Sequence, residues 1–244
     1  MGTGLHGHGP DSDGTRPGCA LIEAVGLSAG YGHLAVLHEI NLRVQAGEVV
    51  ALVGPNGAGK TTLILTLAGV VPVSAGHVAM AGKPTAAPLH QRARSGMRLI
   101  TEDRAVFTSL SVTDNLRLAH KSLDGPLAVF PELRPLLRRR VGLLSGGEQQ
   151  MLTLARALSG PTSLLLADEL SLGLAPLIVR RLLRAVREAA DVGGMGVLLV
   201  EQHIRNALSV ADRVYVMRQG RIVLSGTASE MAGRLAEIES SYLN

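Results

Sequence analysis

Apolar positions in the first half of the chain form short runs, which predict a β-rich beginning followed by one buried helix. Three runs predict strands, at 20–25, 38–44 and 49–53. The last is apolar throughout, as strands buried on both faces are. Residues 61–82 contain no Lys, Arg, Asp or Glu and have the length of a membrane span. Because Gly69 and Pro72 interrupt this stretch, we expect a buried helix over about 61–70 and then a turn and a short strand.

The second half alternates between strand and helix patterns. Strands are predicted at 163–167 and 196–200, with a helix at 176–190 between them. One face of that helix is apolar and the other is rich in arginine, which is typical of a helix covering a sheet. A hairpin pattern and a final amphipathic helix follow. This order predicts an α/β fold with a largely parallel sheet.

Residues 110–140 have a different character. Helical spacing begins there, but Pro126, Pro131 and Pro135 limit any helix to short pieces. We therefore predict a small helical subdomain at about 103–160. It belongs to a single domain at 20–244, preceded by a flexible tail at 1–19.

Composition excludes several classes of protein. The 244 residues include 24 basic and 20 acidic side chains, and at 46% apolar and 18% charged the chain is expected to fold. Five aromatic residues are too few for a base-stacking platform, so no nucleic-acid partner is expected. The single cysteine, Cys19, cannot form an internal disulfide, which favours a reducing compartment. The N-terminus lacks the pattern of a secretory signal.

The clearest chemical motif follows the apolar strand at 49–53. It reads Gly54, Pro55, Asn56, Gly57, Ala58, Gly59, Lys60, Thr61. This is a complete G-x-x-x-x-G-K-[ST] pattern between a strand and a helix, the context of a phosphate-binding loop. Its glycines let backbone N–H groups face phosphates, Lys60 reaches the outer phosphates, and Thr61 can ligate Mg²⁺. The alternative is a glycine-rich turn with a surface lysine.

Two further segments extend this pattern. An apolar strand ends in Asp168 and Glu169, where ligands of parallel sheets bind. Asp168 can hold Mg²⁺, and Glu169 can orient or deprotonate an attacking water, although such a pair is also common in solvated loops. Between the two motifs, Ser145 and Glu148 predict a capping box at the start of a helix whose glycines could bind a second anion.

The segments GPNGAGKTT, LSGGEQQ and LLLADE, in this order, resemble the ATP-binding subunits of ABC transporters over about residues 20–240. LSGGEQQ is the specific element. The resemblance implies a P-loop ATPase core of the ABC type with an antiparallel β subdomain and a small helical subdomain. It also implies two ATP molecules sandwiched in a head-to-tail dimer. Each lies between the P-loop of one subunit and the helix that begins in LSGGEQQ, the signature helix, of the other.

The resemblance assigns a role to each candidate residue. Tyr31 corresponds to the aromatic residue that stacks on adenine, although it could be an ordinary strand tyrosine. The residues expected to bind nucleotide are Tyr31, Gly54, Pro55, Asn56, Gly57, Ala58, Gly59, Lys60, Thr61, Thr62, Ser145, Gly146 and Gly147. Mg²⁺ is expected at Thr61, Glu102 and Asp168. Glu169 is the expected catalytic base, with Gln202 or His203 near the γ-phosphate.

Several departures from the common family pattern look like the branched-chain amino acid uptake subfamily. Glu102 stands where many members have Gln, and SLGLAP and LLVEQH point to the same subfamily. Gln202 stands where most members have His. Successive residues of a strand end point to opposite sides, so we expect only one of Gln202 and His203 to face the nucleotide. The resemblance favours Gln202, because this subfamily usually carries Gln at that position. Leu170 replaces the usual Pro, which leaves the pose of Glu169 open.

The predicted function is therefore ATP hydrolysis that powers a membrane importer of branched-chain or related amino acids. Expected partners are transmembrane permease subunits, a second ATPase subunit and, indirectly, a solute-binding protein. The expected location is the cytoplasmic face of the membrane. Alternatives are the same role for urea, amides or another small solute, a non-transport ATPase acting on DNA or ribosomes, and a nucleotide-binding regulator.

Overall fold

Two sheets form the framework of the computed structural model, which describes residues 20–103 and 105–241. The predicted tail at 1–19, with Cys19, lies outside the described residues, as does Arg104. The strands are β1 (Ile22–Tyr31), β2 (Leu34–Val44), β3 (Val49–Val53), β4 (Val73–Met80), β5 (Lys83–Thr85), β6 (Met97–Ile100), β7 (Leu164–Asp168), β8 (Gly196–Glu201), β9 (Arg213–Arg218) and β10 (Arg221–Thr227). One sheet has the order β2-β1-β4-β5 and is antiparallel.

The larger sheet has the order β10-β9-β3-β8-β7-β6. Its strands from β9 to β6 run parallel, and β10 pairs antiparallel with β9. Every residue of β3, β7 and β8 is buried, as the apolar runs predicted. The parallel pairing brings the carboxyl ends of β3, β8, β7 and β6 to one edge.

Helices cover both sheets and connect their strands. They are α1 (Lys60–Leu67), α2 (Leu89–Arg94), α3 (Val112–Arg117), α4 (Asp124–Val129), α5 (Gly146–Leu158), α6 (Pro176–Gly193), α7 (Ile204–Leu208), α8 (Ala228–Gly233) and α9 (Leu235–Ser241). Two 3-10 helices lie at Pro131–Leu136 and Val141–Leu143. Among the described residues, no helix is long and apolar enough to cross a bilayer.

The structure differs from the predicted elements in several places. Strand β2 begins at Leu34, before the predicted 38, and β5 and β6 were not predicted. The first strand continues to Tyr31, although its glycines predict an earlier end. The φ of Gly26 is 54°, and shifts in the β1–β2 register around it let the pairing continue past this residue. The predicted single C-terminal helix was wrong, since α8 ends at Gly233 and α9 begins at Leu235.

A buried ion pair supports the larger sheet at the end opposite its carboxyl edge. Arg213, the first residue of β9, donates to both carboxylate oxygens of Glu48, just before β3, at 3.0 Å each. Arg213 is 2% and Glu48 8% exposed. Each charge therefore has its partner, as buried charges require.

Candidate active site

The candidate residues lie where four parallel strands end. The glycine-rich loop follows β3, Asp168 ends β7, Glu201 ends β8, and Glu102 follows β6. Crevices at this edge are where ligands of parallel α/β sheets bind. Residues from four separate segments are thus brought to one edge.

The loop between β3 and α1 needs glycine for two reasons. A Cβ on Gly54 would lie 2.2 Å from the Met217 carbonyl oxygen, so no larger residue fits there. Gly59 has a φ of 100°, a backbone conformation that residues other than glycine rarely adopt. Gly59 also caps α1 without a side-chain acceptor, so the helix presents its first N–H groups to an anion.

Lys60 is held inside this loop. Its side chain is 5% exposed, and Nζ donates to the carbonyl oxygens of Gly54 at 2.9 Å and Pro55 at 3.1 Å. Burial lowers the pKa of Lys60, while the Glu169, Asp168 and Glu201 carboxylates act to raise it. A compact ammonium fits this cradle, whereas a planar guanidinium is broader.

Asp168 and Thr61 form the second part of the site. Asp168 is 4% exposed, and burial raises the pKa of its carboxyl while a hydrogen bond from Thr61 lowers it. Glu169 and Glu102 lie near enough to raise this pKa further. Asp168 Oδ1 is buried without a hydrogen-bond partner, which suits a cation ligand.

These donors fit Mg²⁺ held partly by water and phosphate. Within the described part of the chain, no group of three or more His, Cys, Asp or Glu side chains could hold a metal alone. Mg²⁺ commonly takes one or two protein ligands plus substrate phosphates and waters. Thr61 and Asp168 would supply the protein ligands, with Glu102 nearby.

Glu169 occupies a left-handed backbone conformation, with φ of 49°. This conformation costs about 1–2 kcal/mol for a residue with a Cβ. The Glu169 N–H donates to the Val200 carbonyl oxygen at 2.9 Å, and Leu170 is 1% exposed in the core. These contacts hold the turn without a proline at 170, and the Glu169 side chain stays partly exposed.

The residues after β8 differ in environment. Gln202 is partly buried beside Glu201, whereas His203 is exposed and precedes α7. We therefore expect Gln202→Ala to lower the ATP hydrolysis rate about tenfold or more, and His203→Ala to change it less than about threefold. Steady-state phosphate release from both variants is the measurement. Equal, negligible losses would remove both residues from the site.

The remaining nucleotide-binding candidates belong to other elements. Tyr31 is the last residue of β1 and is 50% exposed, so its ring is free to stack. Ser145 caps α5, and the capping box with Glu148 is confirmed. Leu144 and Met151, on either side of this motif, pack in one core cluster, whereas Ala58 and Leu63 of the P-loop region pack in another. One chain therefore keeps its signature helix and P-loop in separate cores.

Comparison with known proteins places this arrangement in a family. Residues 37–171 match the ABC transporter family model. The chain belongs to the ABC transporter family. The expected α/β P-loop fold and the ATPase activity of this family's ATP-binding proteins are thereby confirmed.

Three related ATP-binding proteins align with most of the chain. The branched-chain amino acid transport ATP-binding protein BraG of Pseudomonas aeruginosa is 38% identical, covering 89% of this chain and 97% of BraG. The probable branched-chain amino acid transport ATP-binding protein LivF of Archaeoglobus fulgidus is 34% identical, covering 86% and 94%. The lipopolysaccharide export system ATP-binding protein LptB of Escherichia coli K12 is 34% identical, covering 87% and 92%.

Solved ABC cassettes share the fold. A nucleotide-free ATP-binding cassette from an ABC transporter superposes with a TM-score of 0.82 at 22% identity, covering 92% of this chain and 99% of that cassette. A dimeric post-hydrolysis cassette bound to ADP and phosphate gives 0.74 at 19% identity, covering 85% and 98%.

Sequence reasoning did not single out Glu201, a fourth carboxylate in this ABC site. It ends the apolar strand β8 as Asp168 ends β7, which is the signal that could have found it. Glu201 is 1% exposed, and burial raises its pKa to about 7, against hydrogen bonds from Ser171 that lower it. Glu169 and Asp168 raise this pKa as well.

The raised pKa of Glu201 predicts a stability difference that depends on pH. Between about pH 4.5 and 7 the unfolded chain has released this proton and the folded chain retains it, so stability falls as pH rises. Glu201→Gln cannot ionise. We expect its free energy of unfolding to exceed that of the native chain by up to about 3 kcal/mol at pH 8, with little difference at pH 4.5.

Denaturant unfolding of both proteins without nucleotide, at several pH values, measures this difference. The facing charges, Lys60, Asp168 and Glu169, are unchanged in the variant. A difference that stays constant from pH 4.5 to 8 would contradict the prediction.

Proposed function

We propose that this ABC ATPase powers a membrane importer of branched-chain or related amino acids. The observation that carries the proposal is the 38% identity to BraG over 89% of the chain, against 34% for LptB. Glu102 and the LLVEQH segment support the same subfamily. The proposed cargo therefore rests on sequence similarity, since the ATPase subunit does not touch the solute.

The proposed hydrolytic mechanism uses the edge where the parallel strands end. The P-loop N–H groups and Lys60 would bind the phosphate chain of ATP, and Thr61 and Asp168 would hold Mg²⁺. When bound, Mg²⁺ neutralises developing phosphate charge. Glu169 would accept a proton from the attacking water, while Gln202 would donate to the γ-phosphate.

We further propose that two ATPase subunits, identical or homologous, join head-to-tail around two ATP molecules. Supporting this, Ser145, Gly146 and Gly147 lie at the start of a helix whose core is separate from that under the P-loop. The signature of a second subunit would therefore cover each P-loop. Tyr31 would stack on the adenine from the β1–β2 hairpin.

The proposed membrane partners are permease subunits that hold the chain at the cytoplasmic face of the membrane. The surface that follows Glu102 supports this, because Phe107 is 53% and Leu110 36% exposed there. Asn115, fully buried, donates to and accepts from the Phe107 backbone at 2.9 Å and ties this surface to α3. A solute-binding protein would act through the permease.

A second candidate cargo is lipopolysaccharide, favoured by the 34% identity to LptB. Urea, an amide or another small solute is a further candidate cargo, with the same ATPase role. Co-expression with the membrane proteins encoded beside its gene, followed by reconstitution in vesicles, separates these functions. We expect co-purification and ATPase stimulation by a leucine-loaded binding protein.

If only a urea-loaded or amide-loaded binding protein stimulates the ATPase, that solute would replace branched-chain amino acids as the proposed cargo. Extraction of lipopolysaccharide from the vesicles would favour export. An active ATPase that never associates with membrane subunits would overturn the transport role and favour a non-transport ATPase.

A further inference from the structure

The carboxylate of Glu201 holds the loop that follows the candidate base. Ser171 lies two residues after Glu169 and is 8% exposed. Its N–H donates to Glu201 Oε1 at 3.2 Å, and its hydroxyl donates to Oε2 at 2.5 Å. Both carboxylate oxygens of one buried side chain are thus engaged by one residue of a neighbouring segment.

This contact lies beside the strained turn at Glu169. The left-handed conformation of Glu169 is held on one side by its own N–H, which donates to Val200 in β8. On the other side, Ser171 is fixed to Glu201, the residue after Val200. The end of β8 therefore holds the turn at two successive positions, as a strained conformation requires.

The position of Glu201 in the chain connects two parts of the site. Glu201 directly precedes Gln202 in the chain. The charge of its carboxylate acts to raise the pKa of Lys60. Glu48, the buried carboxylate at the opposite end of the sheet, has Arg213 as its cationic partner. Among the described residues, the hydrogen bonds to the Glu201 carboxylate come from Ser171, so this side chain is tied to the turn that carries Glu169.

We propose that Glu201 is a positioning residue for ATP hydrolysis, which acts through Ser171 to hold Glu169 in place and fixes Gln202 beside it. The proposal rests on the proposed role of Glu169 as the base. Glu201 does not touch the nucleotide in this proposal. Its loss should therefore lower kcat and leave the KM for MgATP nearly unchanged.

The test compares Glu201→Ala, Glu201→Gln and Ser171→Ala in the full chain by steady-state ATPase assays with MgATP. Gln can accept from the Ser171 N–H and donate to its hydroxyl oxygen, so it preserves both contacts. We expect kcat to fall about 20-fold or more in Glu201→Ala, about threefold to tenfold in Ser171→Ala, and less than about threefold in Glu201→Gln, with KM within about threefold throughout. The double alanine variant should be no slower than Glu201→Ala, because both changes break one contact.

Glu48→Ala is the matched control, because it removes a buried carboxylate from the far end of the same sheet. It should lower the unfolding temperature and keep kcat. The proposal is overturned if Glu201→Ala keeps kcat, if Glu201→Gln is as slow as Glu201→Ala, or if Glu48→Ala loses kcat equally. If Glu201→Ala does not fold, kcat and KM of Ser171→Ala and Glu201→Gln test the proposal. An unchanged kcat in Ser171→Ala, or an equal loss of kcat in Glu201→Gln, would overturn it.

Glu169→Gln in the same series separates this proposal from the assignment on which it rests. If Glu169→Gln keeps its turnover, the base assignment fails and the role of Glu201 falls with it. If Glu169→Gln is inactive while Glu201→Ala is not, only the positioning role is overturned.

Discussion

Glu169→Gln is expected to lower kcat for ATP hydrolysis at least 100-fold, which corresponds to about 2.7 kcal/mol of lost transition-state stabilisation. The amide keeps the shape of the side chain and cannot accept a proton from water. The φ of 49° and the N–H bond to Val200 belong to the backbone, so the turn should persist. The variant should therefore still bind MgATP.

Trapping of the ATP-bound dimer is the second part of this expectation. If Glu169 acts only in hydrolysis, MgATP should accumulate a dimer of Glu169→Gln that size-exclusion chromatography resolves. Glu188→Gln, at an exposed position on α6, is the matched control and should hydrolyse ATP normally. Unchanged turnover in Glu169→Gln would mean that another group is the base.

The sequence was sufficient to predict the parts of the site that are contiguous in the chain. The residue types of the loop from Gly54 to Thr61 can be explained locally, because the loop must join a strand to a helix and bind a phosphate. The carboxylates of Asp168 and Glu169 were predicted because an apolar strand ended in charge. The largely parallel character of the sheet followed from the same alternation of patterns, because buried parallel strands leave continuous apolar runs, whereas the order of its strands came from the structure.

What the sequence could not predict depends on contacts between distant segments. The bonds between Ser171 and Glu201 join residues 30 positions apart, and the hydrogen bond of Thr61 to Asp168 joins the start of α1 to the end of β7. The left-handed turn at Glu169 is imposed by β8, because glutamate has no local preference for it. The extension of β1 past Gly26 required a bulge that only its partner strands define.

Lys60→Ala is expected to lower kcat/KM for MgATP roughly 100-fold to 1000-fold, because it removes the cation preorganised for the outer phosphates. The ammonium already bonds two loop carbonyls, which leaves its third N–H for a phosphate oxygen. Lys60→Arg should also lose most activity, since a guanidinium is too broad for a site where Lys60 is 5% exposed.

Lys83→Ala provides the control for loss of a lysine, because Lys83 is exposed on β5. Titration with MgATP and thermal unfolding distinguish a binding defect from misfolding. Burial lowers the pKa of Lys60, which means that the charged ammonium lowers the free energy of unfolding. Lys60→Ala should therefore not unfold at a markedly lower temperature than the native chain. A variant that binds MgATP as tightly as the native chain would show that Lys60 serves the loop structure, with the helix N-terminus alone retaining the phosphates.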